Sequence, residues 1–230
     1  MPEHNEDPQW SRVLSLSVHE FRTPLTVVAG YLRMLLKDRA GPLSDQQRKL
    51  LEEAEKSCGR LTTLLAELSD LGRLEGGALV FTRQTVDLRD VLRTALDQLP
   101  ALPDRKVTVV LEIGNEPAPI EADAPRLTSA VTAVVAAVRR ELVTTDQLIV
   151  SGRRVRSDAA KYQILIGDRQ AVDAVGPEAS GLPVFDEWRG GCGLSLLIAR
   201  RVLNVHDGDI WAPPDAQKGA AVIVIPAAHQ

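Results

Sequence analysis

Leu14, Val18, Phe21, Leu25, Val28, Leu32 and Leu35 recur at alternating spacings of four and three. No other feature restricts the fold of this chain as much. The alternation keeps apolar side chains on one stripe of an α-helix, and a stripe of that length needs other helices to cover it. A first helix is expected from about residue 8 to Lys37. Gly41 and Pro42 should stop it, and Ser44 is a good N-cap for a second helix from about Asp45 to Leu74. Leu50, Ala54, Leu61, Leu64, Leu68 and Leu71 form the apolar positions of that second helix. Two such helices make an antiparallel hairpin. One hairpin leaves apolar surface open, so two chains are expected to pair into a four-helix bundle through residues 8–75. Packing of both helices on the rest of their own chain is the alternative.

His19 falls one residue past a stripe position. Successive helical residues are ~100° apart, so its ring should turn toward solvent with Ser15, Arg22 and Thr26. Glu20 is its neighbour. Pro24 lies inside the helical pattern and removes the partner of the Glu20 carbonyl, so a bend is expected there. Periodicity alone allows a plain reading, a surface histidine beside an ordinary kink.

Beyond Gly72–Gly77, read as a hinge, the pattern changes. Residues 78–88 read as a strand entering a helix capped by Asp87, with Leu88, Val91, Leu92, Ala95 and Leu99 on its apolar face. Val107–Ile113 reads as a strand, residues 117–124 as loop, and Arg126–Leu142 as a helix. Gln147–Arg153, Tyr162–Gly167 and Ala220–Ile225 read as strands, Gly190–Val205 as a glycine-led helix, and Gly208-Asp209-Ile210-Trp211 as a turn into a strand. The fold class is therefore α+β, with domains at residues 8–75 and 78–227.

Composition closes off some functions. A net charge of −4 without a basic run argues against nucleic acid. No stretch approaches the ~18–20 apolar residues of a membrane span, and the acidic N-terminus lacks a signal-peptide core. Cys58 and Cys192 have no metal-type spacing and read as thiols of a reducing compartment. A cytoplasmic chain is expected, with any sensing done by a partner or another segment.

His19-Glu20-Phe21-Arg22-Thr23-Pro24-Leu25 resembles the H-box of two-component sensor histidine kinases. The resemblance implies that His19 is phosphorylated and exchanges phosphate with an aspartate on a response-regulator receiver domain. It implies that Glu20 assists phosphorylation and that Thr23 positions water for dephosphorylation. The chemistry suits these residue types, because imidazole is neutral and nucleophilic near its pKa of ~6.5. A carboxylate holding one ring nitrogen raises the basicity of the other.

The second domain resembles the α/β-sandwich ATP-binding domain of the same family, with signatures kept in part. Asp123-Ala124-Pro125-Arg126-Leu127 resembles the N-box, but Ala137 stands where the family has an Mg²⁺-holding asparagine. Arg140 keeps the next basic position. Mg²⁺ needs oxygen ligands, and a methyl group offers none. Asp168 matches the aspartate that receives the adenine amino group, yet Gln170 and Val172 replace that box's glycines. A strand-end turn is the other reading of Asp168. Phe185 resembles the lid phenylalanine or is a core aromatic. Gly191 and Gly193 resemble the glycines that cradle phosphate, with Ser195 in place of a third. The resemblance thus implies Asp168, Gly191 and Gly193 as cofactor-binding residues, with ATP and Mg²⁺ as the cofactors they would hold and no cofactor as the other expectation. The expected function is phosphotransfer through His19, with autophosphorylation from ATP weak or lost. An active ATP-dependent kinase and a non-catalytic dimeric regulator binding a kinase or receiver are the alternatives.

Overall fold

The computed structural model describes residues 8–102, 106–141, 145–156, 160–177, 179, 185–186, 194–213 and 219–228. The chain divides into two compact units, Met1–Val80 and Phe81–Gln230.

The first unit is a helical hairpin of α1 (Pro8–Leu36) and α2 (Asp45–Glu75). Ser44 caps α2 as expected. Its hydroxyl accepts from Gln47 N–H, and the Gln47 side chain accepts in return from Ser44 N–H. The end of α1 differs from expectation. Its stop is Asp38, in the left-handed conformation at φ 55°, not Gly41 and Pro42. Arg39 N–H reaches back to the Met34 carbonyl and Asp38 N–H to the Leu35 carbonyl, which is a Schellman closure. Arg48 makes an aspartate affordable there. It donates to both Asp38 oxygens at 2.8 and 2.9 Å and to the Leu36 carbonyl at 3.0 Å. Gly72 lies within α2, buried, with Leu14 only 3.2 Å from where a Cβ would stand. The helix therefore continues through the expected hinge and ends at Glu75, closed by Gly77 at φ 60°.

In the second unit, β1 (Gln84–Asp87) pairs antiparallel with β3 (Pro119–Ala122). The segment read as loop therefore contains a strand. A four-residue strand opened by proline carries too little alternation to register as one. A five-stranded sheet has the order β2-β4-β5-β7-β6: β2 (Thr108–Ile113), β4 (Gln147–Arg156), β5 (Ala160–Gly167), β7 (Ala221–Pro226) and β6 (Asp209–Trp211). β2 runs parallel to β4, and the remaining pairs are antiparallel.

Helices α3 (Leu88–Asp97), α4 (Ala124–Glu141) and α6 (Ser195–Val205) pack together, with α4 against β5. Leu88, Leu92, Leu127, Val131, Val134, Val135 and Val138 are fully or almost fully buried. A short helix not anticipated from the sequence, α5 (Arg169–Ala174), covers sheet residues of one parity. Val172 and Val175 pack with Ile149, Leu165 and Val222. Val150, Ile164, Ile166 and Ile223, of the other parity, are buried as well. β5 is consequently buried without a break from Tyr162 to Gly167, the pattern of a strand covered on both faces.

Candidate functional site

α1 is helical without interruption through Pro24, because the proline costs one internal hydrogen bond while the remaining turns keep theirs. Its apolar stripe serves two directions. Leu14 and Val18 are buried at 7% and 2% exposure, whereas Phe21 and Val28 are 62% and 50% exposed. On α2, Cys58 and Leu71 are buried, and Leu50, Leu61 and Leu64 are exposed. A helix turns every 3.6 residues, so a seam read as one line spreads around the cylinder. Part of it meets the other helix of the hairpin and part stays open.

His19 is turned outward, with its side chain 77% exposed. Ser15, Arg22, Thr23 and Thr26 are exposed on the same helix. Thr23 follows His19 by one helical turn, so the two share a face. The Glu20 carboxylate, 73% exposed, lies on the Nδ1 side of the His19 ring, with Oε1 3.8 Å from Nδ1. That separation suits a charge contact and exceeds a direct hydrogen bond. The opposite nitrogen, Nε2, is the one away from this contact. An exposed imidazole of this kind can act as a nucleophile toward an electrophile delivered from solvent.

The other predicted residues lie in the second unit. Asp168 caps α5, its Oδ1 accepting from Ala171 N–H at 2.8 Å. Val172 is helical and buried within α5. Arg169 forms a two-pronged ion pair with Glu112 of β2, which holds the Glu112 carboxyl below the usual carboxylate range. Ala137 is 1% exposed within α4. Phe185 is buried at 1%. Gly191 and Gly193 lie outside the described residues. Among the described residues no cluster of three or more His, Cys, Asp or Glu could hold a metal ion.

One constellation was not assembled by the sequence reading. Asp123 caps α4, with Oδ1 accepting from Arg126 N–H at 3.3 Å, while Oδ2 accepts from Thr82 N–H at 3.0 Å. Asp123 N–H donates to His206 Nε2 at 3.0 Å, and His206 Nδ1 lies 2.7 Å from the Val202 carbonyl. Phe81 stands edge-on to the His206 ring at 5.6 Å, and the Arg126 guanidinium lies 5.1 Å from the Phe81 centroid. Asp123 three residues before Arg126 is an N-cap spacing legible in sequence. Its meeting with His206, 83 positions away, is not.

Residues 9–77 match the His Kinase A (phospho-acceptor) domain family. The chain is 27% identical over 224 residues to the signal transduction histidine-protein kinase BarA of Escherichia coli K12, covering 91% of this chain and 24% of that protein. It is 27% identical over 225 residues to the sensor protein GacS of Pseudomonas syringae, again 91% of this chain and 24% of the relative. The chain thus spans about a quarter of the length of these relatives. In solved structures, full-length ShkA in complex with AMPPNP superposes with a TM-score of 0.71 at 22% identity, over 95% of this chain and 46% of that one. The Acinetobacter baumannii histidine kinase AdeS gives 0.55 at 20% identity, over 91% and 97%. No helix among the described residues is long and apolar enough to cross a membrane.

Proposed function

From a chain that carries a His Kinase A phosphoacceptor domain and is homologous to sensor histidine kinases, we propose a phosphotransfer protein in which His19 exchanges phosphate with a response-regulator aspartate. The observation that carries this reading is an imidazole 77% exposed on α1 with a carboxylate beside its Nδ1. In the transfer, the Nε2 lone pair attacks the phosphorus of an aspartyl phosphate on the receiver. The P–N bond forms, the P–O bond to the acyl oxygen breaks, and the carboxylate leaves with its electron pair. The reverse step returns the phosphoryl group. Glu20 stabilises the positive charge that the ring gains. Thr23 holds a water for hydrolysis of the aspartyl phosphate.

Self-phosphorylation from ATP is weak or lost in this reading. Supporting it are Ala137, a buried methyl where an oxygen ligand for Mg²⁺ would be needed, and Asp168, whose carboxylate already caps α5. The described residues do not fit an Mg²⁺-nucleotide. The chain pairs with a second copy through the open apolar face of residues 8–75, and it works in the cytoplasm.

The test is incubation with a receiver domain charged by acetyl phosphate, followed by assay for acid-labile, base-stable phosphate on this chain. Labelling is expected in the native protein and absent in His19→Ala. Label on His19→Ala would overturn the reading. A parallel incubation with Mg-ATP alone is expected to give no label, and strong label there would restore the active kinase.

A further inference from the structure

The group of Phe81, Thr82, Arg83, Asp123, Arg126, His206 and Asp207 gathers residues from separate parts of the second unit around one buried ring. Residues 81–83 open that unit, immediately after the hairpin unit ends at Val80. They do not belong to the five-stranded sheet. Side-chain and cap contacts hold them instead. Thr82 N–H reaches Asp123, Phe81 stacks edge-on to His206, and Arg83 pairs with Asp207 at 2.8 Å and reaches the Val205 carbonyl.

His206 is the centre of this arrangement at 2% exposure. Both its nitrogens are committed. Nε2 must be an unprotonated acceptor, because the group facing it is a backbone N–H. Nδ1 therefore carries the proton and donates to the Val202 carbonyl. A second proton on the ring would set two donors 3.0 Å apart in a buried place. The charged groups around the ring are Arg83 from the entering segment, Asp123 and Arg126 from the start of α4, and Asp207 following α6. Burial is the largest influence on the ring and favours its neutral form, with Arg83 acting in the same sense; the bond to the Val202 carbonyl, Asp123 and Asp207 oppose them.

We propose that His206 is a proton-sensitive pin: neutral, it fastens the segment Phe81–Arg83 to the start of α4, and on taking a proton at Nε2 it lets that segment go. The proton comes from solvent and forms an N–H bond with the ring lone pair, leaving an imidazolium. The Asp123 N–H then loses its acceptor, the cap turns, and Thr82 N–H and the Phe81 ring lose their seats. The release is local, because the five-stranded sheet has no part in the contacts that break. The inference stands independently of phosphotransfer at His19.

The test uses the full chain and hydrogen exchange resolved by residue, corrected for the intrinsic pH dependence of exchange. Between pH 7.5 and 5.5, protection at Thr82 and Asp123 is expected to fall ~10-fold, the limit for one proton on an imidazole, while Leu165 and Ile166 in β5 keep theirs. In His206→Gln, whose side-chain amide accepts a hydrogen bond without titrating, protection at the two sites is expected to stay level over the same range. Constant protection in the native protein would overturn the proposal. So would an equal fall in His206→Gln, or a parallel fall in β5, which marks global unfolding. The His206 ring signals, read by NMR on the native chain alone, give a second measure. They are expected to titrate below the ordinary imidazole range, because the folded chain resists the proton, and titration with Thr82 protection intact would also sink the pin.

Discussion

Two histidines in one chain show how surroundings decide the use of a ring. His19 is exposed beside a carboxylate, and His206 is enclosed with both nitrogens spent. Burial pushes the His206 pKa below its ordinary value. The unfolded chain therefore binds a proton near pH ~6.5 that the folded chain resists. Stability contributed by His206 is complete above that pH and drains away as pH falls below it. Urea midpoints measured from pH 8 to 5 should be flat above ~6.5 and decline below it, with a shallower decline in His206→Gln. Asp87 and Glu112 act in another window. Arg89 and Arg169 hold their carboxyls low, so their share persists above pH ~4 and is lost below. His206→Leu leaves the Asp123 N–H buried without an acceptor and should cost about 1–3 kcal/mol at neutral pH. At His19, Glu20→Gln should slow transfer by up to about 10²-fold while leaving the folding midpoint in place, as expected of an exposed group that stabilises charge.

At the scale of elements, helix ends carry much of the specification. α1 and α6 both close with an aspartate in the left-handed conformation, Asp38 at φ 55° and Asp207 at φ 57°. Each is held by an arginine that also reaches a carbonyl of the helix end, Arg48 for Asp38 and Arg83 for Asp207. Left-handed backbone costs a non-glycine residue roughly 1–2 kcal/mol, and a partly exposed ion pair returns up to about 1 kcal/mol. Asp38→Gly should thus be near neutral by thermal melting, and Asp38→Ala, which keeps the strain and loses the pair, should be clearly worse. Asp38→Gly as damaging as Asp38→Ala would show that the Arg48 pair, lost in both, outweighs the left-handed strain. Gly208 follows α6, and a Cβ there would stand 2.5 Å from the Val224 carbonyl oxygen. That oxygen belongs to β7 and yields poorly, so Gly208→Ala should cost at least about 2 kcal/mol. Glycines and prolines advertise helix stops in sequence. Asp38 does not, because its fitness depends on Arg48 in the next helix.

For the whole molecule, the open apolar face of the hairpin is the largest property that one chain leaves unresolved. Val28, Leu50, Leu61 and Leu64 are between 43% and 66% exposed. If a second copy covers them, Leu61→Asp must bury an unpaired charge or break the pair. Sedimentation velocity should find the native chain dimeric at micromolar concentration and the variant at least ~10-fold weaker in self-association; a native monomer would refute pairing through this face. Local signals were enough to read much of this protein. The 3.6-residue periodicity declared α1 and α2, Ser44 and Asp87 announced the caps of α2 and α3, and the stripe spacing placed His19 on an exposed face. Those features depend on neighbours within a turn or two of helix, which sequence lists side by side. The β1–β3 pair, the α5 cover over the sheet, the Arg-held aspartates and the His206 pin needed the fold. Each rests on contacts between residues far apart in the chain, and the burial that gives such contacts their energy exists only after the chain has closed around them.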